Sequence, residues 1–331
     1  MIKILKNSVS CITIILMLLS VTSNVFSQDT ISEDNGYYII YPDKLMLRLY
    51  LSQKFSPFTI SSDQEEELNY KSNSKLSLGA GFTYKSLTLN LAYGFGFLNK
   101  EKGSGKTKGL DLQLHIYPTK WAVDLIASSR KEYYLDPNDN SGLNLNNFYV
   151  RPDIKRNVYG VSIFRVPNSN KFSYRAAFNQ NDWQTKSAGS LLFGGEIFAG
   201  TMRGDSSLVP SAIGNSYKQQ GIDKINFVSF GPGIGYAYTL VIDKNFFITG
   251  SVIGILEANF SKEEKDGQKM NKTSVLPGGI YKGALGYNSA TWSVSANIAG
   301  NALYVASAAS SKEYFLPTGI LRFIVAVKLG K

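Results

Sequence analysis

The chain has 331 residues, 44% hydrophobic and 13% aromatic, with 20 Tyr, 19 Phe, 30 Gly, 1 Cys, 1 His and a formal net charge of +10. One cysteine excludes a disulfide framework, one histidine excludes a multi-histidine metal site, and the scattered carboxylates have no calcium-loop spacing. The basic residues are spread along the chain without an aromatic-interleaved patch, which argues against a nucleic-acid partner.

The first residues have the three-part layout of a secretory signal peptide. Lys3 and Lys6 are followed by an apolar run at 12–19, and Val25 and Ser27 occupy the −3 and −1 places before Gln28. That run falls short of the ~18–20 apolar residues of a membrane-spanning helix. Cys11 lies inside this leader and lacks the small-residue setting of a lipoprotein site. The expected organisation is a signal peptide at 1–27, an N-terminal periplasmic segment at 28–43 and one domain at 44–331, exported through the Sec pathway. Loss of the leader removes two lysines and no acid, so the net charge falls from +10 to +8.

Beyond the leader the hydrophobic period is two. Leu45, Leu47, Leu49 and Leu51 alternate with Met46, Arg48, Tyr50 and Ser52. Leu76, Leu78, Ala80, Phe82 and Tyr84 alternate with small residues, and Leu87, Leu89, Leu91, Tyr93, Phe95 and Phe97 repeat the pattern. Leu110, Leu112, Leu114 and Ile116 oppose Asp111, Gln113, His115 and Tyr117. Less regular strands are read at 121–131, 156–166, 171–181, 188–200, 227–241, 245–260 and 276–288. Trp292, Val294, Ala296 and Ile298 then face away from Ser293, Ser295 and Asn297, and the final run sets Leu321, Phe323, Val325, Val327 and Leu329 against Arg322 and Lys328. Side chains on a strand point alternately to opposite faces, so each run has one apolar and one small or polar face. Several runs approach the ~10 residues that carry a tilted strand across a membrane.

A soluble barrel alternates too, so the connections decide. Tight turns are read at 85–86, 117–120, 167–171, 242–245 and 288–290; longer polar segments at 56–74, 98–106, 132–155, 201–226, 261–274 and 302–317 lie between them. Short turns at one end and long loops at the other are the rhythm of an outer-membrane barrel. The polar face is also rich in small residues, as with Ser229, Gly231, Gly233 and Gly235 opposite Phe230, Ile234, Tyr236 and Tyr238. Such residues suit a lumen better than a surface in water. The fold class is therefore all-β, an antiparallel up-and-down transmembrane barrel. Thirteen candidates are read, whereas a barrel with both ends in the periplasm needs an even number. A strand at 208–217 would give fourteen, and loss of one weak run in 171–226 would give twelve.

Arg151-Pro152-Asp153, the run Lys171-Phe172-Ser173-Tyr174-Arg175-Ala176-Ala177-Phe178 and Lys186-Ser187-Ala188-Gly189-Ser190, with Tyr41 and residues 44–50, resemble a domain-of-unknown-function family of exported barrels in Bacteroidetes-type bacteria. The resemblance spans nearly all of the chain after the leader. It implies a barrel in the outer membrane of a Gram-negative cell and supplies no activity. The C-terminus departs from the common barrel pattern, ending Leu329-Gly330-Lys331 without a terminal aromatic.

Other motifs reduce to structure. Gly103-Ser104-Gly105-Lys106-Thr107 looks like a P-loop tail, but Lys100 stands where the full pattern needs glycine and no helix follows. Gly231-Pro232-Gly233-Ile234-Gly235 lacks dinucleotide-site spacing, Arg203-Gly204-Asp205 reads as a turn, and Asn259-Phe260-Ser261 and Asn271-Lys272-Thr273 carry little meaning in a bacterial outer membrane. The acidic run at 63–67 reads as a solvated loop. His115 has no serine two residues on along its face, although Asp111 and Asp124 could lie near it across a hairpin.

By phase, Arg48, Lys85, Arg130, Arg175, Lys282, Arg322 and Lys328 point into the lumen, as do Asp111, Asp124, Glu196 and Glu257. A basic excess favours anions in a water-filled pore, whereas an ion-pair network would plug the lumen and brace the wall. The expected function is a passive, non-enzymatic pore for small solutes, anions among them. The alternative is a closed structural barrel that anchors an envelope partner, and a lipid-modifying enzyme stands third. Outer-membrane lipid is the expected surrounding. No cofactor or metal is implied.

Overall fold

Alternating runs become the staves of a closed ring. The computed structural model describes residues 33–330 except 42–43, 63–65, 85–86, 96–97, 99–104, 141–146 and 212–216. The leader therefore lies outside the described residues, with parts of the expected periplasmic segment, the P-loop-like loop and the acidic run. Two short strands, β1 (Glu33–Asp34) and β2 (Tyr38–Ile40), precede the first wall strand, β3 (Leu45–Phe55). After β4 (Phe58–Ile60) and β5 (Leu68–Lys71), the wall continues through β6 (Leu76–Tyr84), β7 (Leu87–Tyr93), β8 (Lys108–Ile116), β9 (Trp121–Leu135) and β10 (Tyr149–Arg165). A helix, α1 (Tyr174–Phe178), and β11 (Asp182–Gln184) interrupt it. The wall resumes with β12 (Ala188–Arg203), β13 (Ile222–Ile242), β14 (Phe246–Lys265), β15 (Gln268–Asn288) and β16 (Trp292–Ala302). After β17 (Tyr304–Ala306) and β18 (Glu313–Phe315), β19 (Thr318–Leu329) completes it.

Every wall strand pairs antiparallel with its neighbours, β9 joins β10, and β19 returns to β3, so twelve strands close on themselves among the described residues. Closure pairs each wall strand on both sides, which a barrel in lipid requires; the shortest ladder is between β7 and β8, at Leu87↔Ile116 and Thr88↔His115. The start of β3, the end of β19 and most of the tight connections share one end of the barrel, here the turn end. The other long connections rise from the opposite, loop end, whereas the one at 166–187 lies at the turn end.

The alternation resolves with aliphatic residues outward. On β3, Met46, Arg48, Tyr50 and Ser52 are buried while Leu47, Leu49 and Leu51 are exposed. On β13 and β14, Ile234 and Val252 are each 67% exposed. Outward apolar side chains continue around the whole ring, far beyond the few hundred Å² that a soluble monomer shows. Lipid is the solvent that makes such a belt favourable. Phe246, Tyr287 and Trp292 form an aromatic cluster at its turn-end margin, with ring separations of 5.2 and 4.7 Å. Aromatic girdles of this kind sit at membrane interfaces.

Inward glycines have a definite use. Tyr50, Phe198 and Phe227 each lie across a glycine directly paired on the next strand, Gly79, Gly160 and Gly200, where an added Cβ would fall 2.3, 2.1 and 2.5 Å from the ring. The ring fills the space that the missing side chain leaves.

Several expected boundaries move. The expected loop at 261–274 is almost all wall, and the flanks of those at 132–155 and 201–226 are wall too, up to Leu135 and Arg203 and from Tyr149 and Ile222. Strands β14 and β15 stay paired up to Lys265 and Gln268 and turn through Asp266 and Gly267, whose φ angles are +50° and +78°. Two successive positive φ values are those of a type I′ turn, and Asp-Gly is a preferred sequence for it. Above the lipid belt both faces of a strand are polar, so hydrophobic alternation fades although the ladder continues. The expected strand at 171–181 is absent from the wall. Residues 167–171 do turn, but the chain then enters the lumen as α1 and β11. Residues 208–210 are not a strand, and 212–216 lie outside the described residues.

Candidate functional site

The lumen has three storeys, each built by a different part of the chain. At the loop end, connections fold inward over the mouth. Strands β4, β5, β17 and β18 pair with one another and join the wall at β9. Their Phe58, Ile60, Leu68, Tyr70, Val305 and Tyr314 are almost fully buried against wall residues Tyr133, Leu135, Phe198 and Phe227. Phe58 stacks on Tyr70 with centroids 4.4 Å apart. Burying one such ring contributes about 1.5–3 kcal/mol, so a cap with several is packed structure rather than a loose flap. Arg156, on β10, ties the cap down by donating to the Ser56 hydroxyl and to the Pro57 and Leu316 carbonyls at 3.0, 3.0 and 2.8 Å. Glu263 accepts from the Tyr314 hydroxyl at 2.8 Å and from the Ala308 and Ala309 amides at 3.0 Å. Asn259, in its potential glycosylation triplet, is fully buried and occupied by the cap: it accepts from the Ala306 amide at 3.0 Å.

At the turn end, residues 166–187 make the plug. Ser173 caps α1 by accepting from the Ala176 amide at 3.2 Å. Phe172, Tyr174, Ala176 and Ala177 are buried, the two aromatics in a cluster with Tyr117, Phe164, Leu192 and Ile253 of the wall side. Arg175 is therefore not on a wall strand, as its phase suggested, but on this helix, with its Nε 3.1 Å from the Asp182 carboxylate. Burial raises the Asp182 carboxyl above its usual range, while Arg175 and the Ser173 hydroxyl oppose that rise. Strand β11 pairs with β2, which binds the N-terminal segment to the plug, and the Tyr38 hydroxyl donates to the Ser169 carbonyl at 2.7 Å.

Between cap and plug lies a polar storey centred on Asp124 and Lys282. His115 on β8 and Asp124 on β9 are opposite each other in register, with Nδ1 and Oδ1 2.5 Å apart. The Tyr117 hydroxyl donates to the same oxygen at 2.6 Å. Lys282 reaches from β15, across the barrel, and donates to Asp124 Oδ2 at 2.5 Å and to the Tyr117 oxygen at 2.9 Å. Its ammonium also faces the Tyr174 and Phe178 rings of the plug at 5.2 and 5.8 Å. Sequence reasoning placed His115 near Asp124 but could not supply Lys282, because closure of the ring is what brings β15 to that hairpin.

The remaining candidates are distributed. Arg48 is buried and donates to the Thr83 hydroxyl and, at 2.9 Å, to the Asn179 carbonyl of the plug. Arg322 donates to Gln113 Oε1 at 2.7 Å. Arg130 is buried across the paired Gly109. Lys328 donates to Asn288 Oδ1 at 2.7 Å and lies 4.9 Å from the centre of the Tyr41 ring. Glu196 and Glu257 sit on either side of Gly231 inside the wall, and the Ser229 hydroxyl donates to Glu257 Oε2 at 2.8 Å. Asp111 is on β8, paired in register with Ser128, but its side chain lies outside the described residues, as does all of Lys85. Among the described residues there is no cluster of three or more metal-ligating His, Cys, Asp or Glu, and no helix is long and apolar enough to cross a membrane.

A closed antiparallel ring with an aliphatic exterior and a polar interior defines an outer-membrane β-barrel. The chain belongs to the family DUF4421, described as a domain of unknown function, which matches residues 32–323. No curated protein matches the chain. Among solved structures, it is similar to the outer membrane protease OmpT from Escherichia coli, at 11% identity and a TM-score of 0.35, over 89% of this chain and 99% of that one. It is also similar to the Ralstonia pickettii toluene transporter TbuX, at 6% identity and a TM-score of 0.33, over 87% and 90%. A third is the outer membrane protein OprG from Pseudomonas aeruginosa, at 10% identity and a TM-score of 0.24, over 90% and 100%.

Proposed function

We propose that this protein is a closed outer-membrane barrel with a structural role, holding an envelope partner at its periplasmic turn end, rather than an open pore. One observation carries the reading: both mouths are filled by the chain itself, the loop end by the cap around Phe58 and Tyr70 and the turn end by the plug around Phe172 and Tyr174. Opening either mouth would expose a buried apolar cluster. The turn end presents the small sheet of β1, β2 and β11, which is the surface available to a periplasmic partner.

The polar storey supports the second reading, a pore for small anions. Among the described residues, Arg48, Lys282 and Arg322 outnumber Asp124 there, but cap and plug would both have to move before the excess could act on a solute. The third reading, a lipid-modifying enzyme, has less support. His115 and Asp124 stand on the inner face of the wall, away from the lipid side.

Planar-bilayer recording of the purified full chain separates the first two readings. The closed barrel is expected to give no conductance steps at any salt concentration. Reproducible steps would replace it with the pore.

A further inference from the structure

We propose that the polar storey binds one small oxyanion, a phosphate or carboxylate group, between Arg48 and Arg322. The two arginines project inward from β3 and β19, adjacent strands whose register places Tyr50 and Ile324 as the pair between them. The Arg322 guanidinium lies 5.8 Å from the centre of the Tyr50 ring. Among the described residues, every hydrogen-bond acceptor of the two guanidiniums is neutral: Thr83, the Asn179 carbonyl and the Met46 sulfur for Arg48, and Gln113 for Arg322. Asp124, the described carboxylate whose charge acts on Arg322, is already held by Lys282 and His115.

A second observation comes from the wall around Arg322. Ser52 and Asn297 are its directly paired neighbours on either side, and Ser52 Oγ, Asn297 Oδ1 and the Nε atoms of both arginines are buried without a hydrogen-bond partner. Buried polar atoms are normally satisfied, and buried cations are normally paired. One oxyanion answers the need of the donors among them, the two arginine Nε–H groups and the Ser52 hydroxyl. It supplies the missing counter-charge, and its oxygens accept from planar guanidinium donors in the geometry that arginine favours. The site lies between cap and plug, so it exists whether or not the lumen conducts, and lipid headgroups outside the wall do not face it.

The test is equilibrium dialysis of the full chain in nonionic detergent, refolded with inorganic phosphate in one arm and succinate in the other, at constant chloride. Saturable binding of at least one probe, near one per chain, is expected. Arg48→Gln and Arg322→Gln should each weaken it at least tenfold, and Lys269→Gln, at an exposed site in the loop-end hairpin, should leave it unchanged. The same probe should raise the unfolding midpoint of the wild type but not of the glutamine variants, which keeps the test valid if one variant folds poorly. The arm that saturates identifies the group. Absence of saturable binding in both arms, or wild-type affinity in both glutamine variants, overturns the proposal.

Discussion

Val252→Arg is expected to destabilise the barrel in a lipid bilayer by about 2–4 kcal/mol, the cost of a cation on the lipid face near the midplane. Val252 is 67% exposed and lies on the outward row of β14, between Phe246 toward the turn end and Phe260 toward the loop end. The wall offers no acidic side chain outward at that level of β14, so the charge must snorkel or draw water into the bilayer. The contrast is Asn271→Arg, on the outward face of β15 beyond the belt, where the change should stay within about 0.5 kcal/mol as for an ordinary surface site. Unfolding by denaturant in lipid vesicles measures both. Equal, small effects would mean that the aliphatic rows are not in lipid.

Asp124→Ala is expected to cost about 3–5 kcal/mol, because it leaves a buried ammonium without its counter-charge. The Lys282 and Asp124 side chains are only 8% and 10% exposed, and Asp124 also accepts from His115 and Tyr117. The loss should extend to the plug, since Lys282 faces the rings of Tyr174 and Phe178. Replacing both partners, as Asp124→Leu with Lys282→Met, removes the charge together with its partner and should recover most of the loss. Denaturant midpoints of the single and double variants read this directly. A single variant as stable as the wild type would show that the pair does not hold wall to plug.

The two faces of each wall strand were legible because lipid imposes a strict rule on the outside, and the rule leaves rows such as Leu47, Leu49 and Leu51. The same rule explains what was not legible. Above the belt, residues 261–265 are polar on both faces, so β14 reads as a loop although Glu263 points inward and is fully buried. The plug misled in the opposite direction. Phe172, Tyr174, Ala176 and Phe178 alternate with Ser173, Arg175 and Ala177, which imitates a strand, yet the segment is a short helix inside the lumen. Its local signals were the capping Ser173 and the polar run Asn179-Gln180-Asn181 immediately after it, where Gln180 has φ +54°. A segment buried on all sides by a barrel also escapes the outward lipid rule.

The charged candidates divide along the same line. Phase alone placed Arg48, Asp124, Lys282, Arg322 and Lys328 inside. Which of them meet depends on how the ring closes, and that is a matter of strand number and register rather than of spacing along the chain. The pairing of His115 with Asp124 was open to inference because β8 and β9 are consecutive. The partnership of Asp124 with Lys282, 158 residues apart, was not.

The orientation of the aliphatic rows is the claim on which the rest stands, and fluorescence quenching tests it most directly. In a Cys11→Ser background, single cysteines at Val252→Cys and Asn271→Cys are labelled and the chain is placed in vesicles whose lipids carry a mid-acyl nitroxide. The label at 252 should be quenched by the nitroxide and shielded from iodide, and the label at 271 should behave in the opposite way. Iodide quenching at 252 without nitroxide quenching would contradict the account.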